Sequence, residues 1–205
     1  MPRIERPSPY VWVSWIKGLL AKTDKCVWAA WLKAHYKYDK APDTFDLSAW
    51  KKKHDELVGV IRSTMASDGW AVSLEEENSF RIEGQDATLS GKPDIVGRRD
   101  NVARIVDAKT GRPRVSDEWQ VHIYGYARRI IEPELSVETA LNYGSGDVDV
   151  IPPRNAASRI TKVVRMVGSD SEPERTPSFR ECRFCDIAEC PDRVKGGPDR
   201  GRGAW

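Results

Sequence analysis

A chain of 205 residues, 40% of them hydrophobic, can fill one substantial core and has too few apolar side chains for two full domains. No apolar run approaches the about eighteen residues that span a bilayer, and the opening MPRIERPSPY carries charges and prolines where a secretory signal needs an apolar stretch. The chain therefore reads as a cytoplasmic protein without membrane association. Its net charge of +2 excludes a wholesale attraction to polyanions, so any nucleic-acid contact must come from local clusters.

From Pro9 to about Tyr38 apolar residues recur at helical spacing, through Trp12, Trp15, Ile16, Leu19 and Leu20 and then Val27, Trp28, Trp31 and Leu32, which predicts two helices separated near Thr23 and Asp24. Pro42 and Asp43 signal a turn. A third helix follows from Leu47 to Met65 through Trp50, Leu57, Val58 and Ile61, and it carries His54. After Gly69 come short β-prone runs, WAVSLEEE, SFRIEG, ATLSGKPDIVGRR and VARIVDAKTG, which read as a mostly antiparallel meander.

Helical spacing returns from Glu118 to Ile131, with Ser116 and Asp117 placed to cap the helix and Pro133 to limit it. Val137 to Tyr143 and Val148 to Ile151 form strands joined through GSGD, and Asn155 to Val167 forms a helix. The polar stretch from Gly168 to Pro177 reads as a loop or linker, and the tail after Pro191 is rich in Gly, Arg and Asp. The basic residues around Arg98, Arg99, Arg104, Lys109, Arg112 and Arg114, and at Arg128 and Arg129, are by charge alone equally a binding patch or a solvated face. The whole is one domain over 1–205, with N-terminal helices in 1–50, a core in 51–167, and a linker, cysteine cluster and tail in 168–205.

The chemistry concentrates in LSGKPDIVGRRDNVARIVDAKTG. Asp94 follows a Gly-Lys-Pro turn, and a hydrophobic strand ends at Asp107 with Lys109 two residues on. Residues two apart in a strand share a face, so Asp107 and Lys109 aim at one place while the neighbouring strand delivers Asp94. Two carboxylates beside an ammonium suit a hard cation such as Mg2+ or Mn2+, which would activate water. On the next helix Gln120 and Tyr124 stand four apart on one face. Glu75, Glu76 and Glu77 could offer another carboxylate to the site if their strand lies alongside, and a solvated acidic edge explains them equally well.

Four cysteines form a second constellation: Cys26 in the second helix, and Cys182, Cys185 and Cys190 in CRFCDIAEC. Four thiolates in a reducing compartment suit either tetrahedral zinc or an iron-sulfur cluster.

Read in order, GKPD, DAK and QVHIY resemble the motifs of RecB-like nucleases of the PD-(D/E)XK superfamily, and one early cysteine with three late ones is similar to the small CRISPR-associated exonuclease family called Cas four. The resemblance implies an α/β, restriction-endonuclease-like core with a mixed central sheet flanked by helices, an N-terminal helical region and a C-terminal cysteine cluster. It implies catalytic roles for Asp94, Asp107, Lys109, Gln120 and Tyr124, with the last two beside the metal holding the nucleic-acid strand. It implies metal ligation by His54, Asp94 and Asp107, with His35 the weaker competitor for the histidine position. Cys26, Cys182, Cys185 and Cys190 would hold a 4Fe-4S cluster in preference to zinc. The expected activity is metal-dependent DNA hydrolysis, as an exonuclease on single-stranded ends in CRISPR spacer acquisition or repair, with integrase proteins as partners. A non-catalytic nucleic-acid-binding adaptor that keeps the fold is the alternative, and a purely structural zinc protein is a second.

Overall fold

The computed structural model describes residues 3–41 and 47–195, so the predicted turn at Pro42 and Asp43 and the tail from residue 196 lie outside the described residues. In chain order the elements are β1 (Ile4–Glu5), β2 (Tyr10–Trp12), α1 (Val13–Leu20), α2 (Val27–His35), β3 (Tyr36–Lys37), α3 (Leu47–Ser67), β4 (Ala71–Leu74), a 3-10 turn (Glu75–Asn78), β5 (Phe80–Glu83), β6 (Thr88–Gly91), β7 (Ile95–Arg99), β8 (Val102–Ala108), α4 (Val115–Ile131), β9 (Ser136–Asn142), β10 (Asp147–Asp149), α5 (Ala156–Gly168) and α6 (Phe179–Phe184). No helix among the described residues is long and apolar enough to cross a membrane.

The principal sheet runs β10-β9-β8-β7-β4 and is mixed: β8 and β9 are parallel, with α4 as their crossover, and the other pairs are antiparallel. Helices cover both faces because the strands alternate. Ile95 and Val106 point to the side where Val58, Ile61 and Met65 of α3 pack, whereas Val96 and Ile105 point to the side filled by Trp119, Ile123 and Ala127 of α4 with α1 and α5. The buried stripe of α3 is His54, Val58, Ile61 and Met65, spaced by about one turn each, so the same periodicity that seats the helix carries His54 to the sheet.

The single meander expected after Gly69 is instead two sheets. Strands β5 and β6 join β2 in a three-stranded sheet, while β4, β7 and β8 belong to the principal one. The break falls at Lys92-Pro93-Asp94, where Pro93 has no N–H to continue a ladder. Gly91 closes β6 in tight quarters: a Cβ there would lie 2.7 Å from Val13 Cγ2 and 2.8 Å from Phe80 Cζ.

Tyr10–Trp12, expected as helix, pairs in parallel with Thr88–Ser90. Its Tyr-Val-Trp composition favours a strand once that partner is present, which local spacing does not show. Ser116 and Asp117 do not cap α4. Arg114 is the N-cap residue and makes no side-chain cap, while Asp117 lies inside the first turn with its carboxylate turned to Lys17 and Tyr143.

The polar segment after α5 has no helix or strand up to α6, yet it is strapped to α2. Trp28 Nε1 donates to Glu172, Trp31 Nε1 to the Ser169 carbonyl, and Thr176 Oγ1 to the Lys25 carbonyl. The basic residues divide likewise. Arg98 and Arg128 pair with Glu132, and Arg104 with Glu138, Asp147 and Asp149, whereas Arg112 and Arg114 line a cleft on α4's approach. Most of the basic cluster is thus structural.

Buried polarity on α4 has a measurable consequence. His122 is 5% exposed, its Nδ1 has no hydrogen-bond partner, and burial, with Arg129 and Arg159 nearby, pushes its pKa down to about 4. Its unfolded value is about 6.5, so the unfolded chain binds the extra proton, and the stability present above pH 6.5 is lost as pH falls toward 4. By linkage the loss approaches about 3 kcal/mol. Urea unfolding at neutral and acid pH should show a smaller acid loss in His122→Phe than in the parent; equal losses would exclude His122 as the source.

Candidate metal centre

The centre lies where β7 begins and β8 ends. Ile95 pairs with Val106, so Asp94 and Asp107 arrive at the same level on adjacent strands. Asp94 is fixed from two sides: its Oδ2 accepts from the backbone N–H of Ala108 at 2.9 Å and lies 3.2 Å from His54 Nε2. Lys109 stands just past β8, where its N–H donates to the Asn142 carbonyl at 2.8 Å and prolongs the β8–β9 ladder. Its ammonium pairs with Asp107 Oδ2.

Gln120 organises the interior of the site. Its amide nitrogen donates to Asp107 Oδ1 at 3.2 Å and lies 3.1 Å from the Tyr124 hydroxyl, and its amide oxygen accepts from Lys109 at 3.2 Å and from Lys17 at 2.7 Å. The Tyr124 hydroxyl in turn donates to the Lys92 carbonyl at 3.2 Å, tying α4 to the turn that presents Asp94. Tyr124 is buried, so in this arrangement it reaches the turn and Gln120 and does not face the cleft. Its i, i+4 spacing from Gln120 is what lets the two side chains meet.

The electrostatics follow from burial. Asp107 is fully buried, and desolvation together with the neighbouring Asp94 raises its pKa to about 7. Burial works against the charge on Lys109, but Asp107 outweighs it and holds the ammonium above its ordinary value. His54 is held above its usual value chiefly by its hydrogen bond to Asp94. Asp107 Oδ2 is held by the Lys109 ammonium alone, so this buried carboxylate oxygen keeps a second acceptor site.

His54 is also the hinge between two donor sets. Besides Asp94 and Asp107, ligand atoms of His54, Asp55 and Glu75 lie within 4.8 Å of one another. Glu75 enters because β4 ends in a 3-10 turn with Glu75 at a positive φ of 32°, a bend the β-prone pattern of WAVSLEEE does not announce. Its backbone N–H donates to the Asp94 carbonyl at 3.0 Å. His35 takes no part: its ring stacks on Trp31 and its Nε2 lies 3.2 Å from the Val167 carbonyl.

A cleft of about 780 Å³ opens over the centre, with Lys17, Trp50, His54, Asp94, Lys109 and Gln120 in its walls. Trp50, 42% exposed, stacks on His54 with ring centroids 5.1 Å apart. Lys17 was not legible as a site residue, since it sits in an otherwise apolar helical pattern a hundred positions from Asp117.

The four cysteines face a common space. Cys26, Cys182, Cys185 and Cys190 line one cavity of about 620 Å³, which shares Ser14, Lys17 and Arg114 with the cleft. Glu181 accepts from the N–H groups of Lys25 and Cys26, and Arg193 donates to the carbonyls of Cys182, Cys185 and Ile187, so both cysteine-bearing segments are clipped in place. Burial raises the thiols of Cys26 and Cys185 above their ordinary value.

No curated protein matches the sequence. Among solved structures, the crystal structure of SSO0001 is similar in fold, with a TM-score of 0.50 at 13% identity over 93% of this chain and 90% of that one. The model of the PD-(D/E)XK nuclease superfamily matches residues 18–190, a span that holds every residue of the centre except Lys17. With that span and the mixed α/β architecture around it, the chain belongs to the PD-(D/E)XK nuclease superfamily.

Proposed function

We propose that this protein is a metal-dependent deoxyribonuclease acting on single-stranded DNA ends, with Asp94, Asp107 and Lys109 as its reacting centre. Family membership implies nuclease chemistry on a nucleic acid. The observation that carries the residue assignment is the convergence of Asp94 and Asp107 at adjacent strand ends under an open cleft, with the Lys109 ammonium against Asp107 Oδ2.

The donor set fits a hard cation. Two carboxylates and an imidazole would hold Mg2+ or Mn2+, and when bound the ion supplies an activated water and a counter-charge for the phosphate. We prefer Asp94, Asp107 and His54 to the Asp55 and Glu75 side of His54, because Asp107 is wholly buried whereas Asp55 is 49% exposed. Lys109 occupies the place beside Asp107 that a cation would take, and on its displacement the ammonium is free to orient water or to meet phosphate charge. Gln120 holds both groups at fixed distances, and Tyr124 holds Gln120.

Preference for unpaired strands is supported by Trp50, an exposed ring already stacked face to face on His54 in the cleft wall, where a base could continue the stack. A 4Fe-4S cluster is supported by the four cysteines Cys26, Cys182, Cys185 and Cys190 lining one cavity, in the one-early, three-late order of the Cas four resemblance. The resemblance to the Cas four family extends the reading to DNA-end processing in spacer acquisition or repair, with integrase partners.

Labelled single-stranded, double-stranded and RNA substrates should separate these readings. Mn2+ or Mg2+ should support shortening of single-stranded DNA from its ends, and EDTA should abolish it. DNA binding without cleavage under every metal would instead favour the adaptor.

A further inference from the structure

We propose that Lys17 is a second phosphate-binding cation of this centre, contacting the substrate backbone directly next to Lys109. The proposal rests on the nuclease reading but concerns a residue outside the matched family span.

Helix α1 places Lys17 with little freedom. Val13, Ile16 and Leu20 are buried in the core, and Ser14 and Lys17, three apart, face the cleft on the other side. Gly18 lets Asp24 close against the helix, since a Cβ there would lie 1.8 Å from Asp24 Oδ2. The helix is therefore anchored beside the residue that projects from it.

The charge on Lys17 is only partly compensated. Its shortest contact, 2.7 Å, is to the neutral amide oxygen of Gln120, which also accepts from the Lys109 ammonium. Its ion pair with Asp117 is longer, 3.3 Å, and that carboxylate also takes the Tyr143 hydroxyl at 3.0 Å. Beside their carboxylate partners, Asp107 for Lys109 and Asp117 for Lys17, the two cations share one uncharged acceptor in a partly desolvated place, and burial with the Lys109 charge outweighs the nearby carboxylates and lowers the affinity of Lys17 for its proton. An anionic oxygen entering the cleft relieves this repulsion by accepting from both, which a purely structural Lys17–Asp117 pair would not require.

A phosphodiester supplies such an oxygen, and Ser14 and Arg114, in the walls of both cavities, continue the polar surface away from the metal centre. Lys17 would grip the strand through charge without entering the bond-breaking step. The expected signature is weaker substrate binding with turnover largely kept.

The test uses the full-length protein and a labelled oligothymidylate, binding being measured against salt with Ca2+ in place of the catalytic metal. Losing one phosphate contact flattens the slope of log affinity against log salt by about 0.7 for a single strand. Lys17→Met and Lys17→Gln should both show this and raise KM about tenfold, with kcat within about threefold, and Lys17→Arg should restore binding. Lys17→Gln keeps polar contact to Gln120, so it stands in should Lys17→Met fail to fold. An unchanged slope in the folded variants, no binding by the parent, or equal kcat losses in Gln and Arg variants with binding intact would overturn the proposal. The slope is read without turnover, so a parent that binds through Lys17 but never cuts would instead count against the nuclease reading alone.

Discussion

Asp107→Asn should lose DNA cleavage by about a thousandfold or more while remaining folded, the scale expected when a metal-activated nucleophile is removed. Asparagine has the shape of aspartate and keeps an oxygen for the Gln120 amide, which donates to Asp107 Oδ1 at 3.2 Å. What it lacks is the charge that a cation and Lys109 would share. Burial and Asp94 already push this carboxyl toward its acid form, so the fold itself gains little from its ionisation. Loss of activity should therefore come without collapse.

Metal titration makes the distinction sharp. At a hundred times its Kd, a ligand that binds only the folded state adds about 2.7 kcal/mol of stability. Mn2+ should raise the melting temperature of the parent and leave Asp107→Asn unmoved. An equal rise in both would place the ion elsewhere, and the donor set around His54, Asp55 and Glu75 would be the first place to look.

Cys26→Ser should be strongly destabilising. If Cys26 and the late cysteines share a metal cluster, it closes a loop of more than 150 residues, and the chain-entropy argument for a crosslink of that length gives about 5 kcal/mol. Cluster ligation adds to this because binding energy here is folding energy. Protein purified without oxygen should show the visible absorption of thiolate-ligated iron, and Cys26→Ser should lose colour and stability together. Colourless protein carrying one zinc would refute iron but keep the crosslink, whereas metal-free protein as stable as the Cys26→Ser variant would remove both.

How much of this centre could be read from the chain depends on distance. Asp94, Asp107, Lys109, Gln120 and Tyr124 fall within about thirty positions, on elements whose periods of two and four show which side chains share a face. His54 entered only through the resemblance, since a lone histidine on a helix that repeats through Val58, Ile61 and Met65 reads by itself as structural. Lys17 was not legible, because it depends on α1 packing beside α4, and Glu75 stayed undecided between site carboxylate and acidic edge because its placement depends on a bend after β4. The strand at Tyr10–Trp12 escaped for the same reason, its partner Thr88–Ser90 lying far along the chain. The division into two sheets was written in Pro93, but its weight is visible only when both ladders are in view.

The strap on α2 bears on the order in which this molecule can be made. Trp28, Trp31 and His35 find their polar partners 144, 138 and 132 residues later. During synthesis the early helices must wait, with only water at their indole N–H groups, until residues 169 to 172 have left the ribosome. Such long closures slow folding and prolong exposure of sticky intermediates. A ribosome-bound fragment ending before residue 169 would already possess both carboxylates, Lys109 and Gln120, and yet have an N-terminal region still waiting for its clasp.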